Sequence, residues 1–270
     1  MRYWAFLLFF NVAKVLCEPK PIVGGRTAQP NTYGYQVSLR YPDINKTPWH
    51  FCGGSIVTIR CILTAAHCAS IENRKDRDIT KTLVYCGTLY TKENRYDNPD
   101  IYEILWFKKH EQFDPESLLN DVAVIATKRQ ILFDYYRVWP IHLAWSRPAD
   151  DQFVTITGWG FIQNDPNAIP DKLQVISSLQ ILNQNKCMEL NPTRPGFPAK
   201  NVTSTNICVV GSPGQATCQG DSGGPAVYNG KQFGLVSFGS KDCANAKRIA
   251  LTCVCNYIYW IQRQVLYGIY

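Results

Sequence analysis

Short segments in which apolar and polar residues alternate recur along the chain, separated by stretches rich in Gly, Pro, Asn and Asp. Alternation with a period of two places every second side chain on one face of a β-strand. The clearest sets are Tyr35, Val37 and Leu39; Val122, Val124 and Ala126; and Val154 and Ile156. We find no low-complexity tract and no repeat of fixed period. The pattern predicts an all-β protein built as an antiparallel sandwich or barrel.

The C-terminal end follows a different period. Ile258, Ile261, Val265 and Ile269 recur at helical spacing, and Asn256 precedes them as a possible N-cap. This spacing predicts a helix that packs its apolar face on the body of the protein, rather than one that acts on membranes.

Composition limits the classes of protein that remain. The chain has 270 residues, enough for one large all-β domain or two smaller lobes around a sizeable core. Its formal net charge is +7, but no run of Lys and Arg resembles a nucleic-acid stripe. We therefore expect a solvated basic surface, no nucleic-acid partner and a monomeric protein.

The first residues resemble a secretory signal. One positive charge is followed by an apolar run too short to span a bilayer, and Val15 and Cys17 favour cleavage after Cys17. We expect residues 1–17 to be the signal peptide, the mature protein to be secreted into an extracellular space, and no membrane anchor to follow. Eleven cysteines fit an oxidising compartment, and Asn45 and Asn201 lie in glycosylation sequons.

The segment Gly220-Asp221-Ser222-Gly223-Gly224-Pro225 carries the strongest chemical signal. Glycines on both sides of Ser222 allow the backbone to approach a reacting carbonyl closely. The amides of Gly220 and Ser222 could then converge on one point and form an oxyanion hole. Because a serine hydroxyl is a poor nucleophile without a base, the chain must supply a histidine and an acid.

Two further segments supply these groups. His67 lies in Leu-Thr-Ala-Ala-His-Cys, and Asp121 opens an apolar strand segment. In this arrangement His67 takes the proton of Ser222 and later donates it to the leaving group, while Asp121 fixes the imidazole tautomer. Each residue alone has an ordinary structural explanation, but the three motifs in this order favour catalysis.

With these motifs the chain resembles the trypsin/chymotrypsin family of serine proteases, from Ile22 to about Tyr270. The resemblance implies two six-stranded antiparallel β-barrels with the active site in the cleft between them, followed by the C-terminal α-helix. We place the first barrel at about residues 22–140 and the second at about 141–270, within a peptidase domain of residues 22–270.

The segment that begins at Ile22 resembles the activation sequence of that family. The resemblance implies that cleavage before Ile22 frees an ammonium group that pairs with buried Asp221. Pro21 replaces the Arg or Lys that most relatives carry, and residues 18–21 form two X-Pro dipeptides. We therefore expect a propeptide at 18–21 that a dipeptidyl peptidase removes in two steps. The alternative is a proline-rich spacer cut by another endoprotease.

The resemblance also implies three disulfides, Cys52–Cys68, Cys187–Cys208 and Cys218–Cys243. A bond between Cys61 and Cys86 within the first barrel is our interpretation of two of the remaining cysteines. Cys253 and Cys255 alternate with Val254 and should share a strand face, so we do not expect them to bond to each other.

The substrate pocket should differ from that of trypsin. The resemblance places Ala216 where trypsins carry an aspartate, so the pocket floor offers no carboxylate to a basic side chain. Ile249 stands where many relatives have glycine and should shorten the pocket. We predict a shallow apolar pocket for small or medium side chains, formed by Ala216, Thr217, Ser237, Phe238, Gly239 and Ile249.

The sequence thus predicts a secreted serine endopeptidase that acts on protein or peptide substrates without a cofactor. Thr88 stands where calcium-binding trypsins have a glutamate, so we expect no metal site. The alternative is a catalytically inactive binding protein on the same scaffold, acting as a decoy or inhibitor. A lipase or esterase is excluded because its histidine would follow the serine in the chain.

Overall fold

The computed structural model describes residues 25–43, 46–73, 78–92, 100–162, 168–189, 202–240, 242–243 and 248–269. The expected signal peptide, the propeptide, Ile22 and the sequon residues Asn45 and Asn201 lie outside these ranges. Among the described residues, no helix is both long and apolar enough to cross a membrane.

Six strands of the N-terminal half form a closed barrel. They are β2 (Gln36–Asp43), β3 (Lys46–Ile56), β4 (Cys61–Thr64), β5 (Leu83–Tyr85), β6 (Ile101–Lys109) and β7 (Ala123–Thr127). A two-residue strand, β1 (Arg26–Thr27), precedes them and pairs outside this barrel. The order around the barrel is β2-β3-β4-β7-β6-β5, and β5 pairs back with β2. Closure leaves no exposed strand edge.

The C-terminal half forms a second barrel. Its strands are β9 (Phe153–Gly158), β10 (Gln174–Ile181), β11 (Asn206–Val210), β12 (Pro225–Tyr228), β13 (Lys231–Gly239) and β14 (Ile249–Cys253). They follow the order β9-β10-β11-β14-β13-β12, and β12 pairs with β9 to close the ring. Strand β1 adds to β10, and β8 (His142–Leu143) pairs in parallel with β13. The predicted fold of two six-stranded antiparallel barrels is confirmed.

Strand β2 shows how the predicted alternation works in this fold. Val37 and Leu39 face the core of the first barrel, as the pattern predicts. The alternate side chains are polar, yet Ser38 and Arg40 are also buried. Neither face of this strand is therefore left to solvent, and its polar side chains must find hydrogen-bond partners inside the protein.

Besides the cores of the two barrels, an apolar cluster packs both barrels against the C-terminal helix α2 (Ile258–Ile269). Ile258 and Ile261 of the helix pack there with Val122 from the first barrel and Leu235 from the second. The predicted helix thus covers the apolar surface where the barrels meet.

The start of α2 differs from the expectation for Asn256. A 3₁₀ turn, Val254–Tyr257, leads into the helix, so Asn256 lies inside a turn rather than at a cap. Its side-chain amide donates to the Ser204 carbonyl at 3.4 Å. A second helix, α1 (Gln184–Glu189), is only six residues long and was not predicted from the sequence.

Four disulfides are present among the described residues. Three are the pairs that the family resemblance implies: Cys52–Cys68, Cys187–Cys208 and Cys218–Cys243.

The fourth disulfide joins Cys253 to Cys255, so the expectation that these two do not bond was wrong. Cys253 ends β14, whereas Cys255 already belongs to the following 3₁₀ turn. Their Cα atoms lie 5.4 Å apart, closer than the roughly 6.6 Å between alternate residues of an extended strand. The turn brings the two side chains within bonding distance.

The suggested bond between Cys61 and Cys86 was also wrong. Cys61 points outward from β4 into the cluster that packs under α2, whereas Cys86 lies in the core inside the first barrel. The barrel wall separates their side chains. Ile62, next to Cys61, faces the inside, which is the alternation expected of a strand.

Candidate active site

His67 lies immediately after the first three strands of the N-terminal barrel. Strand β4 ends at Thr64, and a 3₁₀ helix, Ala66–Asn73, begins one residue before the histidine. The neighbouring Cys52–Cys68 disulfide ties this turn to β3. The His67 side chain keeps 23% of its surface exposed, so its ring remains accessible to solvent.

Asp121 lies just before β7 and is wholly buried. One carboxylate oxygen accepts the His67 backbone amide at 2.8 Å, and the other lies 2.7 Å from His67 Nδ1. Ser237 of the second barrel donates its hydroxyl to the same carboxylate at 2.5 Å. The Asp121 carbonyl also accepts the Thr252 hydroxyl at 3.0 Å. Groups from both barrels therefore fix this residue in place.

The charge state of Asp121 follows from these partners. Burial alone would raise the pKa of Asp121, but the His67 charge and the hydrogen bonds from His67 and Ser237 hold it below its usual value. The residue is therefore a carboxylate at neutral pH, and His67 carries a proton on Nδ1 toward it. The tautomer leaves Nε2 as the basic nitrogen facing away from Asp121.

Ser222 lies in a tight turn that leads into β12. Gly220 and Gly223 have φ angles of +104° and +75°, a region that favours glycine. A Cβ on Gly223 would lie 2.2 Å from the Thr64 hydroxyl, so a side chain there would push the turn away from β4.

The serine turn docks on the strands that carry His67. The Ser222 carbonyl accepts the Gly53 amide of β3 at 2.8 Å. The sulfur of Cys68, next to His67 in the chain, lies 3.8 Å from the same carbonyl. These contacts place the serine turn of the second barrel beside the histidine turn of the first.

Both peptide groups that meet at Gly220 are held by hydrogen bonds. The Gln219 carbonyl accepts the Phe161 amide at 3.0 Å, and the Gly220 carbonyl lies 2.8 Å from His50 Nε2. Since a trans peptide directs its N–H opposite to its carbonyl, the Gly220 amide points away from Phe161.

Asp221 is buried directly beneath the serine turn. Its carboxylate accepts the amides of Gly160 and Cys218, both at 2.8 Å. Burial raises the pKa of Asp221 to about 6, although these two hydrogen bonds oppose the shift. Gly160 has no room for a side chain, because a Cβ would lie 2.3 Å from the Asp221 carboxylate.

The predicted pocket residues belong to β13, β14 and the loop that precedes Ser222. Ala216 and Ile249 are each 1% exposed and belong to the same apolar core cluster. Gly239 pairs with Ile249 across β13 and β14 and is exposed at the surface. Thr217 and Ser237 are buried, and Phe238 is half-buried.

Cys52, His67 and Cys68 have potential metal-binding atoms within 4.8 Å of one another. Both sulfurs are in a disulfide, so neither can act as a thiolate ligand. The arrangement does not suit a metal ion.

The sequence did not predict two of the contacts at the site. Ser237 was assigned to the pocket but not to Asp121, and His50 was not connected with Gly220. The partners are separated by 116 and 170 residues respectively. No local motif marks such pairs, and the only signal is that polar residues interrupt otherwise buried strands.

Comparison with known sequences agrees with this architecture. The sequence model of the trypsin family matches residues 22–261. Chymotrypsin-2 of Vespa crabro is 37% identical over 249 residues, covering 91% of this chain and the whole of that protein. Serine protease 1 of Homo sapiens is 31% identical over 96% of this chain and 97% of its own length.

The chain belongs to the trypsin family of serine proteases, and the prediction of a proteolytic enzyme of this family is confirmed.

Proposed function

We propose that the protein is a secreted serine endopeptidase in which Ser222 is the nucleophile, His67 the general base and acid, and Asp121 the group that orients His67. The observation that carries this proposal is the position of His67. Its Nδ1 bonds to a buried carboxylate, and its turn contacts the backbone of Ser222.

The reaction uses two proton transfers by His67. Nε2 takes the Ser222 proton as the serine oxygen bonds to the scissile carbonyl carbon, and the imidazolium is stabilised by Asp121. His67 then gives that proton to the leaving amine as the peptide bond breaks, which leaves an acyl group on Ser222. Water, activated by the same nitrogen, hydrolyses the ester and restores the serine.

The oxyanion that forms in each half of the reaction needs hydrogen-bond donors. The amides of Gly220 and Ser222 are placed in the same turn, and the Gly220 amide is oriented by the anchored Gln219 carbonyl. Preorganised backbone donors of this kind each contribute roughly 10²- to 10³-fold to turnover.

We further infer a shallow apolar specificity pocket. Ile249 and Ala216 contact the same core cluster, so the branched side chain occupies space that a glycine would leave open. No carboxylate stands at position 216 to pair with a lysine or arginine of the substrate. The pocket should therefore favour alanine, valine or leucine at the cleavage site, with loose selection among them because one methylene contributes only about 1–3 kcal/mol.

Activation would follow from the burial of Asp221. A free ammonium at Ile22 is a suitable partner for a buried carboxylate, and the family match begins at that residue. We propose that stepwise removal of two X-Pro dipeptides, residues 18–19 and 20–21, exposes it. Neither the sequence relatives nor the site geometry supports the alternative of an inactive binding protein.

A cleavage profile on a peptide library tests the proposed function. Protein that begins at Ile22 should cut after small and medium apolar residues, and Ser222→Ala should cut nothing. Ile249→Gly should extend the profile to larger apolar residues, while Ile249→Val serves as the matched control for loss of core packing. Preferential cleavage after Lys or Arg would contradict the pocket assignment, and unchanged cleavage by Ser222→Ala would contradict the mechanism.

A further inference from the structure

A turn of the second barrel, residues 252–257, which we call the supporting turn, holds the segment of the first barrel that carries Asp121. Thr252, near the end of β14, donates its hydroxyl to the Asp121 carbonyl at 3.0 Å. Tyr257, which ends the 3₁₀ turn, donates its hydroxyl to Asn120 Oδ1, also at 3.0 Å. The supporting turn therefore holds Asp121 and the residue before it from outside the first barrel.

The backbone around Asp121 depends on such support. Asn120 has a φ of +54°, in the left-handed region that residues other than glycine adopt less often and keep only where their surroundings fix them. Its side chain is held at both ends, since Nδ2 donates to the Gln112 carbonyl at 2.8 Å and Oδ1 accepts the Tyr257 hydroxyl. The Val122 amide donates back to the Asn120 carbonyl at 2.8 Å, so the chain turns sharply at Asp121. Loss of the contact to Asn120 therefore alters the position of the Asp121 carboxylate.

The Cys253–Cys255 disulfide lies within the supporting turn, between its two hydrogen-bonding residues. Cys253 belongs to the core cluster of the second barrel and Cys255 packs against that cluster. Val254, between them, lies instead with Val122 in the cluster where the barrels meet. The disulfide thus joins the two residues that flank Val254 and lie on the other side of the chain. It restricts the backbone that sets the positions of Thr252 and Tyr257.

This disulfide is poorly suited to stabilising the fold as a whole. The four disulfides among the described residues join cysteines that are 16, 21, 25 and 2 positions apart. In the loop-entropy description, stabilisation by a disulfide increases with the length of the loop that it closes in the unfolded chain. The bond between Cys253 and Cys255 closes the shortest of these loops. Its main effect is therefore local, on the shape of the supporting turn.

We propose that the Cys253–Cys255 disulfide positions Asp121, and that its reduction by a dithiol lowers the turnover of the enzyme. The two cysteines touch no reacting atom and act through Thr252 and Tyr257. This inference rests on the proposed function, because it gives a catalytic consequence to the position of Asp121.

The reduction is a pair of thiol–disulfide exchanges. Cys255 is half-buried, whereas Cys253 is only 2% exposed, so a thiolate of the dithiol attacks Cys255 Sγ. A mixed disulfide forms on Cys255, and the Cys253 sulfur leaves as a thiolate that takes up a proton. The second thiolate of the reagent then displaces the Cys255 sulfur, which is protonated in turn, and closes a disulfide within the reagent. The dithiol loses two electrons and two protons, and the protein gains two thiols.

The first test compares turnover in variants of the supporting turn. The double variant Cys253→Ala/Cys255→Ala and the single variant Thr252→Val should each lower kcat about tenfold with little change in KM, less than the roughly 10²-fold that a displacement of about 1 Å can cost. Thr252→Ser keeps the hydroxyl and should recover most of the loss. Thr127→Val is the matched control, because Thr127 is equally buried and donates its hydroxyl to the Arg129 carbonyl at 2.8 Å, at the far end of β7. This control should retain the parent kcat.

The second test reads the hydrogen bond between His67 and Asp121 directly. The proton on His67 Nδ1, which lies 2.7 Å from the carboxylate oxygen, should give a far-downfield resonance in proton spectra of the Ser222→Ala protein. Removal of both cysteines in that background should move this resonance upfield or broaden it. Thr127→Val should leave it in place, because a general loss of stability does not change the geometry of the folded site.

The third test applies dithiothreitol to the folded parent protein. The kcat should fall to that of the double cysteine variant as alkylation and peptide mass spectrometry show Cys253 and Cys255 reduced, and reoxidation should restore it. The double variant, given the same treatment, reports the effect of the other disulfides and should lose no further activity. If the double variant does not fold, the treated parent protein decides the question.

The outcomes separate this inference from the proposed function. The parent kcat and the parent resonance, retained after loss of the Cys253–Cys255 bond, would overturn the inference. Equal losses of kcat in Thr252→Val and Thr127→Val would also overturn it. If the parent protein cleaved no peptide at all, the proposed function would fail and the effect on turnover with it, whereas the resonance would still show whether the disulfide positions Asp121.

Discussion

At the scale of single residues, the site contains two buried carboxyl groups, Asp121 and Asp221, that differ in their hydrogen-bond partners. Asp121 receives hydrogen bonds from His67 and Ser237, and its pKa falls. Among the residues that the structure describes, the Asp221 carboxylate accepts the backbone amides of Gly160 and Cys218, and burial raises its pKa to about 6. The Asp121 carboxyl group is therefore kept charged beside His67, whereas the Asp221 carboxyl group would gain from a cationic partner.

Replacing Asp121 by asparagine tests the first carboxyl group. An amide of the same shape would present an NH₂ group or a neutral oxygen to His67 Nδ1, and the basic lone pair would no longer be held toward Ser222. We expect kcat to fall about 10⁴-fold in steady-state assays, with the folded structure retained. Ser237→Ala, which removes one hydrogen bond but leaves the charge, should cost much less. A fall of less than tenfold in Asp121→Asn would contradict the role of Asp121.

The raised pKa of Asp221 predicts how the free energy of unfolding varies with pH in a chain not yet cleaved before Ile22. Because the folded pKa of Asp221 is raised, the native state binds the proton more tightly than the unfolded state does. Its contribution to stability is complete below the unfolded pKa of about 4 and is lost as pH rises through about 6, at most about 3 kcal/mol in all.

Denaturant unfolding between pH 4 and 7 measures this contribution. The difference in the free energy of unfolding between the parent chain and Asp221→Asn should shrink or change sign across that window. A difference that stays constant with pH would show that Asp221 has no raised pKa.

At the scale of elements, the packing of α2 on the first barrel leaves little spare volume. Gly268 lies in the last turn of the helix, and a Cβ there would be 2.6 Å from Cys61 Sγ and 3.2 Å from a ring carbon of Trp106. The buried cysteine thus fills the space beneath a helical glycine. This explains why a residue of low helix propensity is accommodated there.

Gly268→Ala should therefore destabilise the protein by about 1–3 kcal/mol, although the same change in a free helix would stabilise it. Combination with Cys61→Ala should cost less than the sum of the two single changes, because the smaller side chain makes room for the methyl group. Thermal and denaturant unfolding of the four proteins measures the coupling. Gln262→Ala, on the exposed face of the helix, is the control and should be nearly neutral. Simple additivity of the Gly268 and Cys61 changes would contradict this packing.

The elements also show how far alternation of residues can predict a fold. The apolar sets of β2, β7 and β9 were readable because each strand has one wholly apolar face. The strands β1 and β8 have only two residues each, too few to show alternation. They are strands because they pair with β10 and β13. Cys255 was wrongly assigned to a strand because the alternation of residues continues past Cys253, where β14 ends and a 3₁₀ turn begins.

At the scale of the whole molecule, the site exists only where the barrels meet. His67 and Asp121 come from the first barrel, and Ser222 and Ser237 come from the second. The sequence could predict three candidate catalytic residues because their flanking motifs are local. It could not predict the bond from Ser237 to Asp121 or the contact between His50 and Gly220, since these depend on how two separately closed sheets pack together.

The proposed maturation of the chain can also be tested. A proline-specific dipeptidyl peptidase should convert protein beginning at Glu18 into protein beginning at Ile22, as read by mass spectrometry. Pro19→Leu should stop the conversion, because the first dipeptide no longer ends in proline. Lys20→Ala keeps both prolines and should be processed normally. Processing of Pro19→Leu at the parent rate would exclude the stepwise route.

The most direct test of the central claim is covalent labelling of the mature protein with a fluorophosphonate, which reacts only with an activated serine. The account predicts one adduct, located on Ser222 by peptide mass spectrometry. Labelling should be abolished in Ser222→Ala and strongly slowed in His67→Ala. Folded protein beginning at Ile22 that takes up no label, or that is labelled equally in the Ser222→Ala variant, would contradict the account.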